Sequence, residues 1–149
     1  MMSRPLRVLA LAGCVALAGC ATPRSDRSWV SPAAVSDASS IAAAIAEWLG
    51  EEAPPATSTL LVLPVSRRQA DNGVTAALTA DLRRMGYGLA TSLAASPDAH
   101  VVRYLVTPIF ERHVVVRVQL DGVEGARLFY RDGRGGLLPA SALTMRGTL

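Results

Sequence analysis

The sequence predicts an α+β fold, a single mainly antiparallel sheet of about five strands with two helices packed on one face, in the order α-β-α-β-β-β-β. Three observations carry this expectation. Between residues 31 and 86, two stretches repeat apolar side chains at three- and four-residue steps, the period of a helix with one buried face. Between them, Thr59 to Val65 is an apolar run too short for a helix. From His100 onward, β-branched and aromatic residues dominate and alternate with polar ones, as strands require. Two helical stripes and one apolar sheet face are satisfied with the fewest layers when both helices lie on the same side.

Ser31-Pro32 offers a cap residue followed by proline at the first helical position, with Ser36-Asp37 as a later start. Val35, Ala38, Ile41, Ala42, Ile45, Trp48 and Leu49 form the stripe of this first helix, and Gly50 is the expected stop. Trp48 falls on the stripe and is read as core. Glu51, Glu52, Pro54 and Pro55 make a stiff connector to the Thr59–Val65 strand, which is expected to be central and covered on both faces. Asp71-Asn72 are plausible caps for a second helix ending at Met85. Val74, Ala77, Leu78, Leu82 and Met85 face the core, Thr75, Thr79, Asp81, Arg83 and Arg84 point elsewhere, and Gly86 terminates the helix.

Tyr87 to Leu93 fits a strand, and Ser96-Pro97-Asp98 is turn chemistry. Three longer strands follow: His100 to Ile109, His113 to Leu120, and one alternating Ala126, Leu128 and Tyr130 with Arg127, Phe129 and Arg131. Asp121-Gly122 invites a two-residue hairpin turn. Pairing Leu120 with Val123, however, sets Val116 opposite Arg127 and breaks the shared apolar face. A bulge at Gly125 is therefore expected, with a longer loop as the alternative. Phe129 and Val115 then lie on the face opposite the core, where with Arg residues they would form a docking surface or a second small core. Asp132 to Gly136 is a further turn and Leu137 to Ala140 a short edge segment.

The N-terminus has export-signal anatomy. Arg4 and Arg7 precede an apolar run from Val8 to Ala18, about half the length a membrane-spanning helix needs, and Leu17-Ala18-Gly19-Cys20 follows. That tetrapeptide resembles the lipobox of bacterial lipoproteins, which implies cleavage before Cys20 and diacylglyceryl transfer to its thiol. Leu11 to Cys14 repeats the letters but leaves too short an apolar core. The expected organisation is a signal peptide over 1–19, a lipidated tether over 20–32, a periplasmic α+β domain over 33–140 and a loose tail over 141–149. Trp29-Val30 interrupts the polar tether, and could rest at the membrane interface or dock on the domain.

Processing changes the bulk chemistry. All fifteen cations are Arg, against twelve carboxylates, a net +3. Losing Arg4 and Arg7 leaves thirteen cations and a charge of +1, so the basic character is weak evidence for nucleic acid. Cys14 leaves with the signal and Cys20 is acylated, so no thiol remains for a disulfide, a metal or nucleophilic catalysis. His100 and His113, at the starts of neighbouring strands, have no third ligand with supporting spacing and are read as ordinary strand-end residues. Nucleophile-elbow, zincin and P-loop patterns are missing. The Asp132–Gly136 loop lacks the strand-to-helix setting of a phosphate cradle, and Arg83-Arg84 reads as a solvated helix end. Neither an enzymatic activity nor a cofactor, a small-molecule substrate or direct nucleic-acid contact is expected.

Several segments in order resemble one family. These are the Thr-Leu-Leu-Val-Leu-Pro strand at 59–64, Leu82-Arg83-Arg84-Met85-Gly86-Tyr87-Gly88, Arg103-Tyr104-Leu105-Val106-Thr107-Pro108, the run from Leu120 to Asp132, and Gly136-Leu137-Leu138-Pro139-Ala140. Together with the lipoprotein signal, they resemble the TrbH lipoproteins of conjugative plasmid transfer. The resemblance implies an outer-membrane lipoprotein of a type IV secretion, mating-pair-formation apparatus, held at the periplasmic face and contacting outer-membrane core proteins. It carries over no functional residue except Cys20. Ala21 after the cysteine, rather than Asp, fits lipoproteins released to the outer membrane. Two other readings of the residues stay open: an auxiliary lipoprotein of another envelope complex, and a cell-wall binder or envelope hydrolase.

Overall fold

The computed structural model describes residues 27–69 and 72–147. The chain runs β1 (Trp29–Val30), α1 (Ala38–Glu52), β2 (Thr59–Val62), α2 (Val74–Met85), β3 (Gly88–Leu89), β4 (His100–Ile109), β5 (His113–Leu120), β6 (Val123–Arg131), β7 (Leu137–Pro139) and β8 (Thr144–Arg146). The α+β class and the two helices on one face agree with expectation. The sheet does not: it is mixed and has eight strands, ordered β3-β2-β4-β5-β6-β7, with β1 also on β4 and β8 also on β6.

The parallel part follows from α2. A strand, a twelve-residue helix and a second strand return the chain to its starting end, so β3 enters alongside β2 in the same direction. β4 then lies on the other side of β2, again parallel, and β1 adds parallel to β4. Only β4 to β8 form the antiparallel half. Because the helices cover one face, Leu60 is buried while its neighbours in β2 are half-buried, and the strand is not covered on both sides.

Local signals set the helix ends. The proline start at Pro32 produces a 3-10 turn, Pro32–Asp37, and the α-helix begins only at Ala38. Gly50 is not the stop. It lies within α1, where a Cβ would come to 3.0 Å from Met85 Cε, so its missing side chain lets α2 approach. At the start of α2, Asn72 Oδ1 accepts the Val74 N–H at 2.8 Å. At its end, Gly86 takes φ 96° and the Gly86 and Tyr87 N–H groups bond back to Arg83 and Leu82 carbonyls.

One core joins both helices to the sheet. Ile41, Ile45 and Leu49 of α1 and Val74, Leu78 and Leu82 of α2 pack on Val102, Tyr104 and Val106 of β4 and on the even-numbered residues Val114 to Leu120 of β5. Thr75, expected to point away, meets the Tyr104 hydroxyl through Oγ1 at 2.6 Å. The buried Tyr87 hydroxyl faces the carbonyl oxygens of Leu49 and Ala53 at 2.9 and 2.6 Å. Burial raises the pKa of both phenols above the usual 10.0. A folded-state pKa above the unfolded one stabilises the fold fully below the unfolded value, and that contribution is lost as pH rises through the folded value. Stability measured by denaturant titration is therefore expected to fall above about pH 10, where a solvent-exposed tyrosine ionises, and Tyr104→Phe with Tyr87→Phe should flatten that fall.

The β5–β6 register departs from expectation. Leu120 pairs with Val123, Val118 with Gly125, Val116 with Arg127 and Val114 with Phe129. There is no bulge at Gly125. Arg127 does lie on the helix-side face, but its side chain is only half-buried beside α1 and keeps polar and aromatic partners. Its Nε reaches the Ser141 carbonyl at 3.2 Å and its guanidinium lies 6.0 Å from the Phe129 ring centre. Phe129 consequently sits on the core face, 7% exposed, and not on the outer face. The register places Gly125 on the core face, and Trp48 occupies the space a side chain there would need: a Cβ would stand 2.6 Å from the indole Nε1.

Two segments expected to lie outside the domain carry strands. Trp29–Val30, in the expected tether, pairs with Leu105–Val106, and Ser28 Oγ donates to the Leu63 carbonyl. The Gln69 side-chain amide bonds the Val30 N–H and carbonyl as a neighbouring strand would. Thr144–Arg146, in the tail expected to be loose, pairs with Glu124–Ala126, and Met145 Sδ lies 3.5 Å from the Trp48 Nε1.

Candidate functional site

The helices leave the other sheet face open, and cross-strand register fixes what it displays. At the β4–β5 hairpin end, Ile109, His113, Tyr130 and Leu138 stand side by side across four strands. The next row is Thr107, Val115 and Leu128, and the one after it Trp29, Leu105, Arg117, Ala126 and Thr144. A polar row of Arg103, Gln119, Glu124 and Arg146 bounds the patch. Arg117 pairs with Glu124 at 2.6 Å. Val115 is therefore on the outer face as expected, whereas Phe129 is not.

Beyond the first row the hairpin tip projects Phe110, 84% exposed and at φ 62°. A bulky residue in the left-handed region is an outlier. Its ring meets His113 edge-on at 6.4 Å between centres, and His113 meets Tyr130 at 5.5 Å. Arg112 Nη1 donates to the Tyr130 hydroxyl at 2.8 Å. Leu138 is 54% and Trp29 40% exposed.

The residues weighed for chemistry are dispersed. His113 belongs to this tip, while His100 lies at the opposite end of the same hairpin, its Nδ1 2.8 Å from Asp121 Oδ2. Antiparallel pairing separates the two histidines by the length of β4. Among the described residues no group of three or more His, Cys, Asp or Glu side chains could hold a metal ion. In the glycine-rich turn, Asp132 Oδ1 accepts the N–H groups of Arg134 and Gly136 at 2.7 and 2.9 Å, so a carboxylate already takes the donors an anion would use. Arg84 pairs with Asp81 at 2.8 Å on an exposed helix turn.

Three concavities among the described residues are small. A recess of about 40 Å³ between α1 and β6, lined by Trp48, Val116, Gly125, Arg127, Phe129 and Leu143, has room for very few waters. Hollows of about 210 Å³ beside Val30 and Gln69 and about 250 Å³ beside Ser96 and His100 fall below the roughly 300–1,000 Å³ typical of small-molecule pockets. Among the described residues no helix is long and apolar enough to cross a membrane. Cys20 and its preceding signal lie outside the described residues.

Sequence reasoning missed Phe110 and the row beside it. A Phe between two predicted strands looks like a strand end, and only the register shows that Ile109, Tyr130 and Leu138 are its neighbours. It also missed Arg131 and Asp37, which meet at 2.6 Å across 94 residues of chain.

No curated protein and no solved structure gives a significant match to this chain. The model of one family, described as conjugal transfer protein TrbH, matches residues 22–148, which spans every described strand and both helices. The chain therefore belongs to the TrbH family of conjugal transfer proteins.

Proposed function

We propose that the chain is an outer-membrane lipoprotein of a conjugative DNA-transfer apparatus, a type IV secretion system of the mating-pair-formation kind. In this reading it acts as a structural and interaction component, without catalytic chemistry of its own. The family match over residues 22–148 carries the link to conjugal transfer. The anchor rests on the lipobox-like Leu17 to Cys20, directly upstream of the matched region, and the position at the outer membrane on Ala21. The exposed apolar tip favours a body that binds large surfaces. Partners in this reading are proteins of the outer-membrane part of the apparatus, together with the bilayer that holds the acyl chains.

In a strain that carries the transfer system, Cys20→Ser is expected to abolish metabolic labelling with palmitate. It should also move the protein from the outer-membrane to the soluble fraction and lower transfer frequency. Unchanged labelling and fractionation would overturn the anchor, and unchanged transfer in a strain lacking the whole protein would overturn the role in conjugation.

A further inference from the structure

The apolar end of the open sheet face has one feature that selects its occupant: an aromatic ring that stands out from it, 84% exposed. Phe110 protrudes from the hairpin tip, with Ile109, Tyr130 and Leu138 in a row behind it and Trp29 and Leu105 two rows further in. A protruding ring needs a complementary pocket in a protein partner, whereas fluid acyl chains take it without one. Trp29 and Tyr130, apolar bodies with polar tips, suit the headgroup boundary. Glu111 and Arg112 share the tip with opposite charges, so attachment there is apolar and not electrostatic.

The length of chain upstream points the same way. Only six residues separate Cys20 from Arg27, and seven chain steps span at most about 25 Å. Arg27 leads directly into β1, whose Trp29 lies on the open face opposite Leu105. Four residues of β4, about 13 Å, separate that level from the tip. An anchor at Cys20 thus confines this face to the neighbourhood of the bilayer, with the apolar patch in reach of it.

We propose that the apolar end of the open sheet face docks on the lipid bilayer that holds the acylated N-terminus, with Phe110 deepest and Trp29 at the interface. This rests on the anchor proposed at Cys20. Docking orients the domain: the helices, on the opposite sheet face, are directed away from the lipid toward protein partners, and the polar row lies at the end of the open face farther from the tip.

The test uses the full acylated chain in vesicles of phosphatidylethanolamine and phosphatidylglycerol with brominated acyl chains, which quench nearby indoles. Wild type carries Trp29 at the patch and Trp48 in the core. Trp29→Phe leaves Trp48 alone and is expected to lose no emission to bromine. Adding Phe110→Trp to that variant should restore quenching, as should adding Leu138→Trp, an independent exposed position. Salt should not reverse the quenching. If these proteins float with the vesicles but brominated and ordinary lipids give the same emission, docking is overturned while the anchor stands, and a protein occupant becomes the reading. If the chain carries no acyl group and does not float, the anchor reading and the docking that rests on it fail together.

Discussion

Replacing Arg131 by alanine is expected to destabilise the domain by about 3–5 kcal/mol, the usual consequence of leaving one partner of a buried ion pair alone. The Arg131 guanidinium lies where three distant segments meet. Nε donates to Asp37 Oδ2 at 2.6 Å, Nη2 to the Ala33 carbonyl at 3.0 Å and Nη1 to the Glu111 carbonyl at 3.0 Å. It therefore ties the end of β6 to the turn that precedes α1 and to the β4–β5 hairpin tip. Asp37 is 4% exposed, so its carboxylate has little water to fall back on once the guanidinium is gone. Urea denaturation of the variant should show a lower midpoint with an unchanged slope. Asp37→Asn combined with Arg131→Ala leaves no unpaired charge and should lose clearly less than the two single substitutions summed, a non-additive double-mutant cycle. Additive losses would mean that the pair contributes no coupling.

The second large effect is expected at Gly125. A β-branched residue there has nowhere to go, because a Cβ already stands 2.6 Å from Trp48 Nε1 and 2.7 Å from its Cε2. Gly125→Val is expected to cost about 1–3 kcal/mol through overpacking, despite the better strand propensity of valine. Trp48→Ala empties the same site from the other side and should cost about 3–5 kcal/mol. Combining Gly125→Val with Trp48→Leu should lose less than the sum, because the smaller side chain vacates the space the valine enters. Gly125→Val as stable as wild type would show that the indole relocates freely and that the glycine is not required for packing.

Much of the fold was legible because its signals are local. The helical stripes at Ile41, Ile45 and Leu49 and at Val74, Leu78 and Leu82 follow a period that needs no partner to be seen. The Gly86 stop and the Asp121-Gly122 turn are equally local, whereas the residue that caps α2 is Gly73 and not Asp71 or Asn72. Strand direction was not legible in the same way. Strand, helix and strand at 59–89 contain the parallel pairing, yet the antiparallel run after His100 outweighed it in the reading. The register of β6 failed on a reasonable rule, that an arginine should not share a face with valines. That rule ignores that a long side chain can stay half-exposed and find its own partners, here the Ser141 carbonyl and the Phe129 ring. The hairpin tip was illegible because Ile109, Tyr130 and Leu138 become neighbours only through pairing across four strands.

By itself the sequence determined the α+β class, the two helices with most of their core faces (Val35 and Met85 are exposed), the antiparallel strands from His100 onward, and the resemblance that the family match bears out. These depend on periods of two and 3.6 residues and on short motifs, which are properties of neighbours in the chain. Tertiary structure alone decided the mixed sheet, the terminal strands, the place of Gly125 under Trp48, the Arg131–Asp37 link and the apolar row behind Phe110. Each of these joins residues remote in sequence. Whether an arginine, a glycine or an exposed aromatic belongs at such a position is set by which atoms the fold brings against it, and that is fixed only when helices and strands pack.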